Sequence, residues 1–167
     1  MTARPALNKA LLPFVAMAMC MLLASCGFTP AYGEKSEARA VLERIRLENP
    51  RDRNEYRFLK AVEARIPQSA DPLYEVRYRV RARDRGVPVR GVPRRQLHGD
   101  VRYHVVDLSS GKRVLTDEIE TFTSYTDEGD LRIPQKLDAE ERLMQILADQ
   151  FVTRMTIKSA RIAPRSE

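Results

Sequence analysis

From Tyr74 to Ala82 the chain alternates without interruption, with Tyr74, Val76, Tyr78, Val80 and Ala82 on one parity and Glu75, Arg77, Arg79 and Arg81 on the other. Successive side chains of a strand point to opposite faces, so this segment is a strand with one dry face and one charged face. A sheet with one dry face has to be covered by something else in the chain. A second strand is predicted from about Gly99 to Leu108, where Val101, Tyr103 and Val105 share a parity. Ser109-Ser110-Gly111-Lys112 then reads as a hairpin turn, and a third strand, rich in Thr and aromatic residues, follows from Arg113 to about Tyr125. Gly86, Pro88, Gly91 and Pro93 predict a loop over Asp84–Arg95, and Gly129 and Pro134 predict another over Asp127–Gln135.

The cover is predicted to be helical. Ile45 and Leu47 form a short extended segment within Arg44–Glu48, broken by Asn49-Pro50. Asp52 is placed to N-cap a helix, with Glu55 at the capping-box position. Phe58, Leu59, Val62 and Ile66 recur at helical spacing before Pro67 stops the run. A final helix is predicted from about Asp138, as cap, to Met155, with Leu143, Met144, Leu147, Phe151 and Met155 as its apolar stripe. The order strand–helix–strand–strand–strand–helix gives an α+β fold, a two-layer sandwich with a roughly four-stranded sheet and two helices packed on one face. Residues 39–158 form this single domain, preceded by a linker over 26–38 and followed by a polar tail over 159–167. A chain of 167 residues suffices for one such core.

The first 25 residues read differently. Arg4 and Lys9 precede an uncharged apolar run from Ala10 to Ala24, short for a membrane span and suited to the core of a secretory signal. The run ends in Leu23-Ala24-Ser25-Cys26, which resembles the lipobox of bacterial lipoprotein precursors. The resemblance implies that the Cys26 thiol receives a diacylglyceryl group, that residues 1–25 are removed, and that the new amino group is acylated. An ordinary cleaved signal and an N-terminal anchor helix are the alternatives. Cys20 and Cys26 are the only cysteines, so a chain starting at Cys26 keeps no free thiol once that residue is lipidated. Each buried methylene contributes about 0.8 kcal/mol, so one chain holds marginally and several hold durably. Gly27 stands where many lipoproteins kept at the inner membrane of enteric bacteria carry Asp, which favours the outer membrane.

Little in the remainder points to catalysis. His98 and His104 lack any metal-ligand spacing, Ser109, Ser110 and Ser124 lie outside any nucleophile-elbow pattern, and no glycine-rich phosphate loop occurs. Asp84, Asp100, Asp117 and Glu118 are carboxylates that can pair, although strand carboxylates usually face water. No enzyme and no cofactor is expected beyond the acyl groups on Cys26. Loss of residues 1–25 takes two of the 29 basic residues and none of the 23 acidic ones, leaving 27 against 23. That excess is too mild and too evenly mixed for a nucleic-acid surface. The arginines remain notable: Arg77, Arg79 and Arg81 in a row, then Arg83, Arg85, Arg90, Arg94 and Arg95. Guanidinium forks bind phosphates and carboxylates, so the row suits an anionic lipid or a polar barrel wall. It is also what an ordinary solvated face looks like, paired with Glu118 and Glu120.

Cys26 is followed by Gly27-Phe28-Thr29-Pro30-Ala31-Tyr32-Gly33. This opening resembles that of the lipopolysaccharide-assembly lipoprotein LptE family, in its alphaproteobacterial branch, and the predicted element order agrees with that family. The resemblance implies a non-enzymatic lipoprotein of the outer membrane, a plug and assembly partner of the LptD β-barrel, which delivers lipopolysaccharide to the outer leaflet. It further implies contact with lipopolysaccharide through basic residues, at positions matching Arg94 or Arg95 and Lys136. Another accessory lipoprotein facing the periplasm, such as a secretin pilot or a transporter accessory, is the alternative.

Replacement of Cys26 by Ser should abolish metabolic labelling with a fatty acid and leave a soluble or unprocessed form; a Cys26→Ser chain that labels normally would refute the anchor.

Overall fold

A computed structural model describes residues 37–87, 91, 93–127, 132–159, 161 and 162. The signal segment, Cys26, the heptapeptide after it and Arg90 lie outside the described residues. The elements run α1 (Glu37–Leu42), β1 (Ile45–Leu47), α2 (Arg53–Glu63), β2 (Tyr74–Val87), β3 (Arg94–Asp107), β4 (Arg113–Thr126) and α3 (Arg132–Ser159). The strands lie side by side in the order β1-β2-β3-β4. β1 runs parallel to β2, whereas β2–β3 and β3–β4 are antiparallel, so the sheet is mixed. The α+β sandwich expected from the sequence is the observed architecture, with a third short helix, α1, where a linker was predicted up to residue 38.

Local chemistry accounts for most element boundaries. The Asp52 carboxylate accepts from the backbone N–H groups of Asn54 and Glu55 at 2.8 and 2.9 Å, which caps α2. Glu55 completes a reciprocal arrangement one residue early, accepting from the Arg51 N–H at 2.8 Å. The predicted turn at Ser109–Lys112 is present. Asp107 Oδ1 accepts from the N–H groups of Ser109 and Ser110 at 2.8 and 3.0 Å, and Gly111 takes a positive φ of 68°. An irregularity between Val105 and Val106 pairs them with Leu115 and Arg113 and leaves Val114 over, a bulge beside that turn.

Three boundaries differ from expectation. The segment Asp84–Arg95, predicted as a loop, is strand at both ends: β2 continues to Val87 and β3 begins at Arg94, in register from Tyr74↔Asp107 to Val87↔Arg94. The final helix begins at Arg132, inside the predicted loop Asp127–Gln135, so Asp138 is not its cap and instead pairs with Arg142 one turn on. Pro134 is tolerated because it occupies the third helical position, where the backbone N–H would lack an intrahelical acceptor in any case. The tail also begins later than expected. Ser159 is buried and donates to the Thr156 carbonyl at 2.7 Å, and Ile162 joins the core.

The core lies between the sheet and the helices. Its sheet side is Val76, Tyr78, Val80, Leu97, Val101, Tyr103, Val105 and Ile119; its helix side is Phe58, Val62, Leu143, Met144, Leu147, Phe151 and Met155. Phe151 meets Tyr103 and Phe58 edge-on, with ring centroids 4.9 and 5.7 Å apart, and Phe58 meets Tyr78 at 5.4 Å. Gly99 lets α3 approach β3: a Cβ there would stand 2.9 Å from side-chain carbons of both Leu143 and Leu147. Among the described residues no helix is long and apolar enough to cross a membrane.

Phe151→Ala should cost about 3–5 kcal/mol in denaturant unfolding, because it empties the centre of this aromatic group. Gly99→Ala should cost less, about 1–3 kcal/mol, since the two leucines must move away. Unchanged midpoints would show that α3 does not rest on β3 as described.

Candidate functional site

The parity that places Tyr74 to Ala82 on the dry face of β2 carries one step further to Asp84. Its register partner on β3 is Leu97, and Arg95 and Tyr125, on β3 and β4, share the same face. Past the apolar core, the helix-covered face therefore ends in charge. Arg95 Nε donates to Asp84 Oδ1 at 2.8 Å, and the Tyr125 hydroxyl donates to Oδ2 at 2.7 Å. Lys136, in the first turns of α3, brings its ammonium to 3.5 Å from the same Oδ2. A second carboxylate, Asp127, lies 3.0 Å from Arg132 Nε and 3.5 Å from an Arg95 guanidinium nitrogen. The result is a clamp of three cations and two carboxylates that joins the ends of β2, β3 and β4 to the start of α3.

Burial pulls the Asp84 carboxyl upward, but the hydrogen bonds from Tyr125 and Arg95 and the charges of Arg95 and Lys136 outweigh it and hold it below its ordinary value. Burial, and then the neighbouring Asp84 carboxylate, push the Tyr125 hydroxyl up to about 12. Arg95 is held charged chiefly by its hydrogen bond to Asp84. A similar cluster lies farther along the same face, on the edge strand β4. There Asp117 takes Lys158 at 2.6 Å, the Tyr103 hydroxyl at 3.2 Å and Arg154 at 3.6 Å.

The fold places the paired candidates on opposite faces of β3. Arg95 and Lys136 converge on one carboxylate, and Arg94 stands on the other face of β3, exposed and without an ion-pair partner among the described residues. Arg95 is committed to Asp84 and Asp127; Lys136 is 40% exposed and held loosely. Exposed apolar side chains flank the lysine, with Ile133 71% and Leu137 38% accessible on the same helix. Asp84, Tyr125, Asp127 and Arg132 were not singled out from sequence as partners of these bases. Continued alternation past Ala82 was the signal for Asp84.

The row Arg77, Arg79 and Arg81 lies exposed on the helix-free face. Glu118 pairs there with Arg102 at 2.6 Å rather than with the row, and Arg77 pairs with Glu75 on its own strand at 2.8 Å. His98 is stacked on Phe122, its Nε2 3.1 Å from Gln96 Oε1, and burial followed by the charges of Arg113 and Arg77 lowers the His104 pKa.

No family model and no curated protein matches the chain. Solved structures do. A candidate lipoprotein from Caulobacter crescentus CB15 is similar over 74% of this chain and 96% of its own, with a TM-score of 0.61 and 18% identity. A minor lipoprotein from Acinetobacter baumannii is similar over 71% and 95%, with a TM-score of 0.56 and 15% identity. The rare lipoprotein B of Shewanella oneidensis follows, over 71% and 96%, with a TM-score of 0.50 and 13% identity. The likeness is one of fold.

Asp84→Asn should destabilise the protein by about 1–3 kcal/mol at neutral pH, by removing the charge three donors share. Because the folded carboxyl titrates below the unfolded value of 3.8, its contribution is present above that value and lost as pH falls through the folded pKa. The gap between wild-type and variant melting temperatures should therefore close on acidification below about pH 4; a pH-independent gap would show that Asp84 acts by packing.

Proposed function

We propose that this protein is an outer-membrane lipoprotein, anchored through Cys26, that plugs and helps assemble an LptD-type β-barrel and contacts lipopolysaccharide at the clamp around Asp84. The observation that carries the reading is the convergence of Arg95 and Lys136 on Asp84. The family resemblance points to Arg94 or Arg95 and to Lys136, from distant parts of the chain, and of these Arg95 and Lys136 lie together at one end of the sandwich. Support comes also from the fold that the chain shares with three proteins described as lipoproteins.

The chemistry at that end suits an anionic amphiphile. Lys136 supplies an accessible ammonium for a phosphate, Arg132 and Arg95 add positive potential around it, and Ile133 and Leu137 offer apolar surface beside it. The core argues against a soluble lipid carrier, because Phe58, Tyr78, Tyr103 and Phe151 fill the layer between sheet and helices where a carrier needs a cavity. A charged surface of mixed sign over a small dry core is what a polar barrel lumen accepts, and a lipid anchor raises the local concentration of the plug beside the barrel.

Purification of the tagged, lipidated chain in mild detergent should bring down a large outer-membrane barrel of the lipopolysaccharide-export type; recovery of a secretin, or of the chain alone, would sink the barrel reading. Lys136→Ala should weaken lipopolysaccharide binding about tenfold with little change in melting, whereas Arg95→Ala should lower the melting temperature by releasing Asp84. Equal binding by wild type and Lys136→Ala would remove the clamp as the contact.

A further inference from the structure

Two carboxylates of the helix-free face, Asp100 and Glu120, are less well partnered than those of the covered face. On the helix-covered face, Asp84 and Asp117 each hold a tyrosine hydroxyl and two cations. Asp100, on the helix-free face of β3, is 7% exposed, and among the described residues it has one ion pair, from Arg83 to Oδ1 at 3.3 Å. Its Oδ2 is buried with no hydrogen-bond partner among them. Directly across on β4 stands Glu120, exposed and without an ion-pair partner among the described residues. Like charges placed opposite each other across two strands repel, and a buried acceptor without a donor is a standing cost.

These two carboxylates share an open groove of about 320 Å³ with Arg83, Arg85 and His98. At its margin Phe122 is 55% exposed and stacked on His98, with ring centroids 5.6 Å apart. Arg81 and Arg85 have no ion-pair partner among the described residues either. An exposed aromatic beside a desolvated acceptor in an open groove is the arrangement of an interface hot spot. An anionic lipid headgroup is disfavoured here, because its phosphate would meet Asp100 and Glu120. A protein surface of mixed sign meets every need at once: a donor for Asp100, a counter-charge for Glu120, cover for Phe122 and acids for the free arginines.

We propose that the helix-free sheet face is a protein-docking surface, where the partner inserts a Lys or Arg side chain between Asp100 and Glu120 and lays an apolar side chain on Phe122. That the partner is the export barrel rests on the reading of the preceding section; the docking surface itself does not.

The test uses the full-length lipidated chain in cells. A photo-crosslinking amino acid at position 122 should form one defined adduct with the barrel, at a segment containing Lys or Arg. Glu120→Lys, alone and with Asp100→Asn, should lower recovered barrel about tenfold or more at an unchanged melting temperature, whereas Glu141→Lys on exposed α3 should not. Reversing the crosslinked basic residue of the barrel to Glu should restore recovery with Glu120→Lys. Undiminished recovery by both groove variants would overturn the docking surface and leave the barrel reading standing. If the wild-type chain recovers no barrel, that reading fails, and the adduct decides the surface. A single other protein whose adduct disappears in the double variant supports it, and no adduct at all overturns it.

Discussion

Phe151 is the contact on which the architecture turns. It projects from the middle of α3 and meets Tyr103 of β3 and Phe58 of α2 edge-on, so that one ring joins the sheet to both long helices. Its neighbours Leu143 and Leu147 rest over Gly99, where the missing side chain lets the helix descend onto the strand. Dispersion and burial grow with proximity, and that close approach is available at few other positions of β3, which carries branched or aromatic residues on both sides of Gly99 along the same face.

With α3 so placed, the ends of the sandwich follow. Strand alternation runs on past the apolar residues of β2 to Asp84, and on the edge strand β4 it sets Asp117 on the same face between Leu115 and Ile119. Neither can be left bare beneath a helix. Each is met by a tyrosine from the sheet and a lysine from α3, Lys136 near its start and Lys158 near its end. The long helix is thereby fastened at both ends by charge and in the middle by aromatic packing. The candidate site is the fastening that gathers Arg95, Arg132 and Lys136 around Asp84 and Asp127.

Much of this was legible in the residues. Tyr74–Ala82 specified its strand and its dry face, Asp52 specified a helix start, and the stripe from Leu143 to Met155 specified which side of α3 faces inward. The errors share a cause: Gly and Pro were read as breaks wherever they clustered. In Asp84–Arg95 the ladder holds up to Val87 and resumes at Arg94, so the turn is far shorter than the cluster suggests. Pro134 likewise marks a helix start rather than a loop. α1 carries too short a pattern to be recognised alone and is held by packing against α3. The Asp84 clamp could not be composed from sequence because its members come from three strands and a helix. Once β2 was ended before Asp84, the one local clue, a carboxylate on the apolar parity, was hidden.

The clamp also explains why Arg95 and Lys136 are not equivalent. Arg95 is held by Asp84 and Asp127, and an incoming anion would have to displace both carboxylates to claim it. Its rigid fork is better used in fixing those groups than in binding. Lys136 sits 3.5 Å from an oxygen already satisfied by Tyr125, so turning its flexible stem toward a ligand leaves Asp84 with two good donors. Lys136 is therefore the base whose departure toward a phosphate costs the fold least, while the arginine keeps the end of the sandwich closed. On the proposed reading stability and binding are divided between neighbours, which is how a site can form part of a structural fastening without unfastening it.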